Sequence, residues 1–504
     1  MNVKKDKYEI IIVGSGLGGL VAGTLLAREK RSVILLREKG YQPHFSRDRY
    51  QFIPFSNFSE RCLNPSLVKR LVQRLDLTPG REFEGRDENV PGRSAKGKAH
   101  VSFQVLLPKA RIDLSPERSF LEREWKREFR SEVPRLEKFY DELGALVNRW
   151  KDKEEKDPFF PVKFPSPFEA LFPLFSSSKR SGDRMLSSFS QEFRMFVRLQ
   201  LISRGNFCFD RFPASLAAYL MMGGEQDPCG PSVNSNELEH MILRKFSESG
   251  GLIEEIEGVD KVDGGSRKDV SVSLKEDRKP FQSQFLIFNS PIHALKHLRG
   301  EGGNPLAKWR QRIQPKYILL PCFIGIREKA VPVGMKDLLV SVIDLDKPPE
   351  KGNLILMTLS PKEDETQAPE GRRALIVGSL LPYEEFDAVR SRNAFVDHQR
   401  AVINHLSHII PFLEDHIEFI DFDWTKDQTL CWSYPHFLYE IRFQNRWRHG
   451  VVPTRLSRRV YFSGKENFPY LGLEGEILAG LIVGTQISAL NKRRDRSLSS
   501  GPLG

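Results

Sequence analysis

The stretch Tyr8-Glu9-Ile10-Ile11-Ile12-Val13-Gly14-Ser15-Gly16-Leu17-Gly18-Gly19-Leu20 decides how this chain folds. Its first part is a short apolar run rich in β-branched residues, the pattern of a parallel strand buried on both faces. Gly14 ends that strand. Leu17 to Arg28 reads as a helix of small and aliphatic residues, and Ser32-Val33-Ile34-Leu35-Leu36 as a second buried strand. Strand, turn, helix and strand within about thirty residues is the length of one right-handed parallel crossover. The fold class that follows is α/β with a Rossmann-like domain, here over Glu9 to about Glu38.

Gly14-Ser15-Gly16-Leu17-Gly18-Gly19 matches GxGxxG between a strand and a helix, the context that gives this motif its mechanism. Gly14 permits a tight turn, Gly16 removes the Cβ that would block approach to a pyrophosphate, and Gly19 lets helix and strand pack closely. Free N–H groups and the positive end of the helix dipole favour a phosphate. Gly14, Ser15, Gly16, Gly18 and Gly19 are therefore the candidate nucleotide-binding residues.

An acidic residue about twenty positions on usually accepts from the ribose hydroxyls. Here the second strand ends Leu36-Arg37-Glu38-Lys39. Arg37 takes the usual acidic place, and Glu38 falls one residue late, on the opposite face of a strand. Three arrangements meet this pattern: a bulge that turns Glu38 back, Arg37 meeting a 2′-phosphate and so favouring NADP, or loss of the ribose contact. Loss of one such bond costs about 1.5–3 kcal/mol, which weakens a nucleotide site without abolishing it.

At 504 residues the chain exceeds one minimal core, and two domains are expected. Its 39% hydrophobic and 28% charged residues exclude a disordered or collagen-like protein. The 77 basic against 66 acidic residues give a net charge of +11. These are dispersed, with Lys492-Arg493-Arg494 the one basic run, and no zinc-finger or RNA-binding motif accompanies them, so no nucleic-acid partner is expected. Cys62, Cys208, Cys229, Cys322 and Cys431 lie far apart and are odd in number, which points to free thiols packed in cores and a reducing, cytoplasmic location. The N-terminus carries no secretory pattern. No stretch reaches the roughly 18 uninterrupted apolar residues of a spanning helix, so membrane contact is expected to be peripheral at most.

Farther along, Val101–Leu107 and Arg111–Leu114 read as a hairpin of a second sheet. From Trp125 to Trp150, apolar residues recur every three or four positions, the pattern of one long core-facing helix kinked at Pro134. Pro158 to Phe175 is rich in Phe and Pro, and Phe193 to Phe212 continues the enrichment among Arg residues. This suits either a surface dipping into the cytoplasmic face of a bilayer or admitting an apolar substrate, or a helical cap packing its own core. Asn236–Ser249 is a predicted helix stopped by Gly250-Gly251, followed by strands 252–259, 270–274 and 285–288. A second mixed region spans about 315–450. The chain closes with strand 459–462 and a helix from about Glu474 to Leu490.

Ile11 to Gly23, with its glycine turn, resembles the start of the phytoene desaturase and carotenoid isomerase group of FAD-dependent oxidoreductases. Gly250-Gly251-Leu252-Ile253 with Val259 and Val262, Leu286 to Pro291, and Val460 to Gly464 followed by Gly472 to Gly480 resemble that group's later motifs in the same order. The resemblance implies a discontinuous FAD/NAD(P)-binding domain over 1–60, 230–300 and 455–492. A substrate domain with a helical Phe-rich cap would occupy 61–229 and 301–454, and a flexible tail 493–504. It also implies FAD rather than NAD(P), an adenine contact at Val259, and Gly464, Lys465, Leu473 and Glu474 along the ribityl chain and flavin. A lipophilic, polyene-type substrate, desaturated, saturated or isomerised, would be its small-molecule partner. The chain departs from the pattern at Lys465, where an acidic residue is usual and Glu466 comes next, and at Pro43-His44, where two glycines are usual. The alternative is a flavin-poor or flavin-free lipid- or protein-binding module, as in the similarly folded GDP-dissociation inhibitors. No sequence feature specifies an oligomeric state.

His405 and His408 lie on a predicted helix with His398 and His416 nearby, but no carboxylate-histidine signature accompanies them, so surface histidines are expected and no metal. No nucleophile motif is present and no catalytic residue is assigned.

Overall fold

The computed structural model describes residues 7–39, 45–52, 65–77, 103–115, 117–154, 182–205, 207–208, 212–222, 235–264, 269–276, 278–292, 315–362, 364–389, 392–421, 436–440 and 452–499. The Phe- and Pro-rich stretch 158–175 and the pair Pro43-His44 lie outside them.

The first sheet is assembled from three distant parts of the chain. Strands β1 (Lys7–Val13), β2 (Val33–Glu38), β3 (Leu252–Ile256), β4 (Val259–Asp263), β5 (Val270–Leu274), β6 (Phe281–Phe288) and β7 (Val460–Phe462) lie in the order β3-β2-β1-β6-β5-β4, with β7 also beside β6. β3, β2, β1, β6 and β7 are parallel; β5 runs antiparallel to both β4 and β6. Ile10 to Val13 and Val33 to Leu36 are buried, as strands covered on both faces must be. Helices α1 (Leu17–Arg28), α2 (Ser235–Glu248) and α3 (Gly472–Ser499) pack on one core with Ile10, Ile12, Leu35 and Ile287. This is a discontinuous Rossmann-like domain.

The intervening chain builds a second, largely antiparallel sheet around the long strands Pro315–Arg327 and Arg372–Pro382, whose pairing runs from Tyr317↔Pro382 to Arg327↔Arg372. The expected hairpin is present as Phe103–Leu107 paired with Ala110–Leu114 at the far edge of this sheet. The small hairpin Phe45–Arg47 with Tyr50–Phe52, although early in the chain, packs here: the Phe45 and Phe323 rings stack with centroids 4.6 Å apart.

Several expectations need correction. The long helix is two helices, Arg118–Glu128 and Val133–Glu154, separated by a 3-10 turn. Pro134 sits in the first turn of the second helix, where its missing N–H costs nothing. Its apolar stripe does face the core, with Trp125 and Tyr140 rings 4.3 Å apart. The single strand expected over 252–259 is two, because Gly258 turns the chain at φ +144°. The last helix continues through Ser499, past the boundary at 492, since neither Gly nor Pro interrupts 491–499. Pro469–Asn491 is long and apolar enough by composition to cross a membrane, contrary to the sequence reading, yet 78% of its window is buried against the protein, as in a core helix.

His398 and His405 are not surface residues. Both are buried: His405 Nδ1 lies 2.6 Å from the Gly352 carbonyl and Nε2 2.8 Å from Ser341 Oγ, while His398 Nε2 lies 2.5 Å from Ser379 Oγ. These bonds tie the helix Arg392–Ile409 to the second sheet and to Gly352. Burial pushes both imidazoles down to about 4. The unfolded chain therefore binds protons that the folded chain refuses between pH 6.5 and 4. The stability these residues contribute is complete above pH 6.5 and is lost as pH falls, at up to about 1.4 kcal/mol per pH unit for each. Thermal melts should show Tm falling over this interval, with a shallower slope in His405→Gln; equal slopes would contradict the assignment.

Candidate functional site

The site lies where β1, β6 and β7 end side by side. Asn289 N–H donates to the Val13 carbonyl and Ser463 N–H to the Phe288 carbonyl, so the strand ends stay in register beyond the sheet. Gly14 leaves β1 at φ +113°, a conformation that suits only glycine, and turns the chain into α1. Gly16 is the N-cap and offers no side-chain cap, and no acidic residue occupies the first turn. The start of α1 is thus bare backbone with its positive end facing the strand ends.

That opening is closed from the other side by α3. A Cβ built on Gly480 would lie 2.3 Å from the Gly18 carbonyl oxygen, and one on Gly18 would lie 2.8 Å from both the Glu476 and Ser463 carbonyl oxygens. The two helices therefore meet backbone to backbone. The contact brings Glu476, 3% exposed, over the glycine turn: its Oε1 accepts from Gly18 N–H at 3.2 Å and from Asn289 Nδ2 at 3.3 Å. The Asn289 amide also donates to the Ser463 carbonyl.

Two further buried glutamates flank this corner. Glu466 Oε1 accepts from Ile292 N–H at 2.9 Å and from Tyr439 Oη at 2.7 Å. Burial raises its carboxyl above the usual range despite these donors. Burial, with Glu466 beside it, likewise pushes the Tyr439 hydroxyl up, and burial together with Lys465 pushes His436 well down. Glu474 Oε2 accepts from Tyr219 Oη at 2.5 Å, a tie between α3 and the helix Ala214–Met222.

The structure brings Gly14, Ser15, Gly16, Gly18, Gly19, Gly464, Leu473 and Glu474 to this one end of the domain, at the β1–α1 turn, just after β7 and in the first turn of α3. Gly464 N–H donates to Asn467 Oδ1 at 2.8 Å. Lys465 is half-buried, while the neighbouring Glu466 turns inward. Arg37 and Glu38 end β2, which runs beside β3 in unbroken register from Ile34↔Leu252 to Glu38↔Ile256. The bulge that would turn Glu38 back is therefore absent. Arg37 reaches Glu255 at 3.7 Å and Glu38 is exposed. Val259 opens β4 and packs, half-buried, against the large core.

Asn289, Ser463 and Glu476 were missed by the sequence reading. For Glu476 a signal existed: it is a charge inside the apolar run Leu473 to Val483, which a core helix carries only with a partner. The partner lies 458 positions away.

No family model matches the sequence, and no curated protein matches it. Among solved structures the chain is similar to wild-type putrescine oxidase bound to putrescine, at 12% identity and TM-score 0.57, over 96% of this chain and 99% of that one. It is similar to an oxidoreductase from Methanosarcina mazei (14%, 0.56, over 96% and 100%) and to cyclohexylamine oxidase from Brevibacterium oxydans IH-35A (16%, 0.50, over 96% and 99%). These likenesses agree on the fold: a discontinuous Rossmann-like domain with an inserted α+β domain.

The backbone contact between α1 and α3 is directly testable. Gly480→Ala forces a methyl into the Gly18 carbonyl and is expected to destabilise the protein by about 1–3 kcal/mol or more. Gly144→Ala, whose methyl among the described residues would meet only Met222 Cε at 3.7 Å, is expected to be neutral or stabilising by up to about 1 kcal/mol. Equal Tm values for the two variants would contradict the packing described.

Proposed function

We propose that this protein is an FAD-dependent oxidoreductase acting on a lipophilic substrate. The observation that carries the reading is the start of α1 at the ends of parallel strands, where the N-cap Gly16 supplies no cap of its own, a glycine-lined backbone cradle suited to an anionic diphosphate. The fold shared with putrescine oxidase, cyclohexylamine oxidase and the Methanosarcina mazei oxidoreductase supports it. Gly14, Gly16, Gly18 and Gly19 would hold the diphosphate, with Ser463 and Gly464 lying beside it after β7. Leu473 and Glu474 would border the flavin end. The cradle fits such a group once the Glu476 carboxylate, the far end of a flexible side chain, moves aside.

Bound FAD would supply the two-electron redox chemistry. The chain's own residues hold the cofactor, orient the substrate and exclude water. The tie between Tyr219 and Glu474 braces the inserted domain against α3. Tyr439 and Ile292 N–H hold the Glu466 carboxylate in place. The lipophilic substrate is supported by the resemblance to polyene-metabolising oxidoreductases and by 35 Phe residues.

One observation favours a second reading, a flavin-free binding module: an anion acceptor of the protein itself already meets the Gly18 amide. The test is a titration of full-length protein with FAD. Excess FAD should perturb the flavin absorption and raise Tm, as for any ligand that binds only the folded state. Gly16→Val, which places a side chain against Glu476 and Asn289, should abolish both effects while the protein remains folded. Unchanged Tm and absorption with the natural sequence would overturn the flavoenzyme reading in favour of the module.

A further inference from the structure

The corner above Gly16 and Gly18 is chemically complete for an oxyanion, and the chain supplies one of its own. Glu476 Oε1 would lie 2.5 Å from a methyl on Gly16, so it fills the space that the absent Cβ leaves. It also takes the first-turn amide of Gly18. A carboxylate offers the same acceptor oxygens as a phosphate and is favoured by the same helix end.

A second observation marks this as a ligand site rather than a settled core. Asn289 Oδ1 and Ser463 Oγ are buried with no hydrogen-bond partner among the described residues. Asn289 Oδ1 would lie 2.6 Å from a methyl on Gly16, on the side where Glu476 Oε1 sits, and Ser463 Oγ 2.7 Å from one on Gly18, so both border the glycine turn. Buried polar atoms are normally paired, and Ser463 Oγ is a hydroxyl able to donate to an incoming oxyanion.

The geometry points to Glu476 as a built-in competitor for the cofactor's diphosphate: an internal carboxylate that holds the anion site and must leave it before a dinucleotide binds. This rests on the cofactor reading above and deepens it. Glu476 sets the affinity of the site, because each binding event gives up a charge-assisted hydrogen bond at the helix start and must separate two negative groups in a buried corner. The natural protein should bind dinucleotide about ten- to a hundredfold more weakly than a chain without this carboxylate.

The test uses full-length protein with two probes: FAD, and ADP, which carries the diphosphate without the flavin. Dissociation constants are measured by calorimetry for the natural sequence, Glu476→Ala and Glu476→Gln. Glu476→Ala should bind both probes about ten- to a hundredfold more tightly, and Glu476→Gln, which keeps the volume and removes the charge, should gain in the same direction. If the alanine variant fails to fold, the glutamine variant alone decides. Affinities equal to or weaker than those of the natural sequence overturn the inference. Tight, equal FAD binding by all three overturns it and leaves the flavoenzyme reading standing. A gain for ADP with no FAD binding supports the competitor and removes the flavin, whereas no binding of either probe by any chain overturns both.

Discussion

The backbones of α1 and α3 touch, and the rest of the molecule's organisation depends on that contact. It is possible only because Gly18 and Gly480 face each other without side chains. The contact joins the two ends of the chain, places the first turn of α3 at the ends of β1, β6 and β7, and sets Glu476 over the glycine turn. A methyl group at either glycine would push the helices apart and open the corner where strands, turn and carboxylates converge.

What could be read in advance was what is local. Tyr8 to Glu38 announced strand, turn, helix and strand because each element rests on neighbouring residues: the β-branched run, the glycines, the aliphatic helix. The discontinuous domain was legible through the family resemblance that Leu286 to Pro291 and Val460 to Gly464 carry, both of them compact strand-and-turn motifs. Long-range pairings were not. Nothing near His405 announced Ser341 or Gly352, so it read as a surface residue, and nothing near Glu476 announced Gly18. At Arg37 and Glu38 the spacing left three arrangements open, and the unbroken register of β2 with β3 removes one of them.

The buried carboxylates separate two kinds of work. Glu466 and Glu474 accept from Tyr439, Ile292 and Tyr219, contacts that join the inserted domain and the strand ends to the chain around α3. Glu476 accepts from the glycine turn itself. In the proposed reading the helix end that would take an external anion carries an internal one, and a helix start cannot donate one amide to both.

A crystal structure of the full-length protein grown with FAD tests this most directly. The account expects the diphosphate against the amides of the glycine turn, accepting from Gly18 N–H, with the Glu476 side chain rotated away and α1 and α3 still in backbone contact. A carboxylate that keeps its bond to Gly18 while the cofactor lies elsewhere or is absent would contradict it.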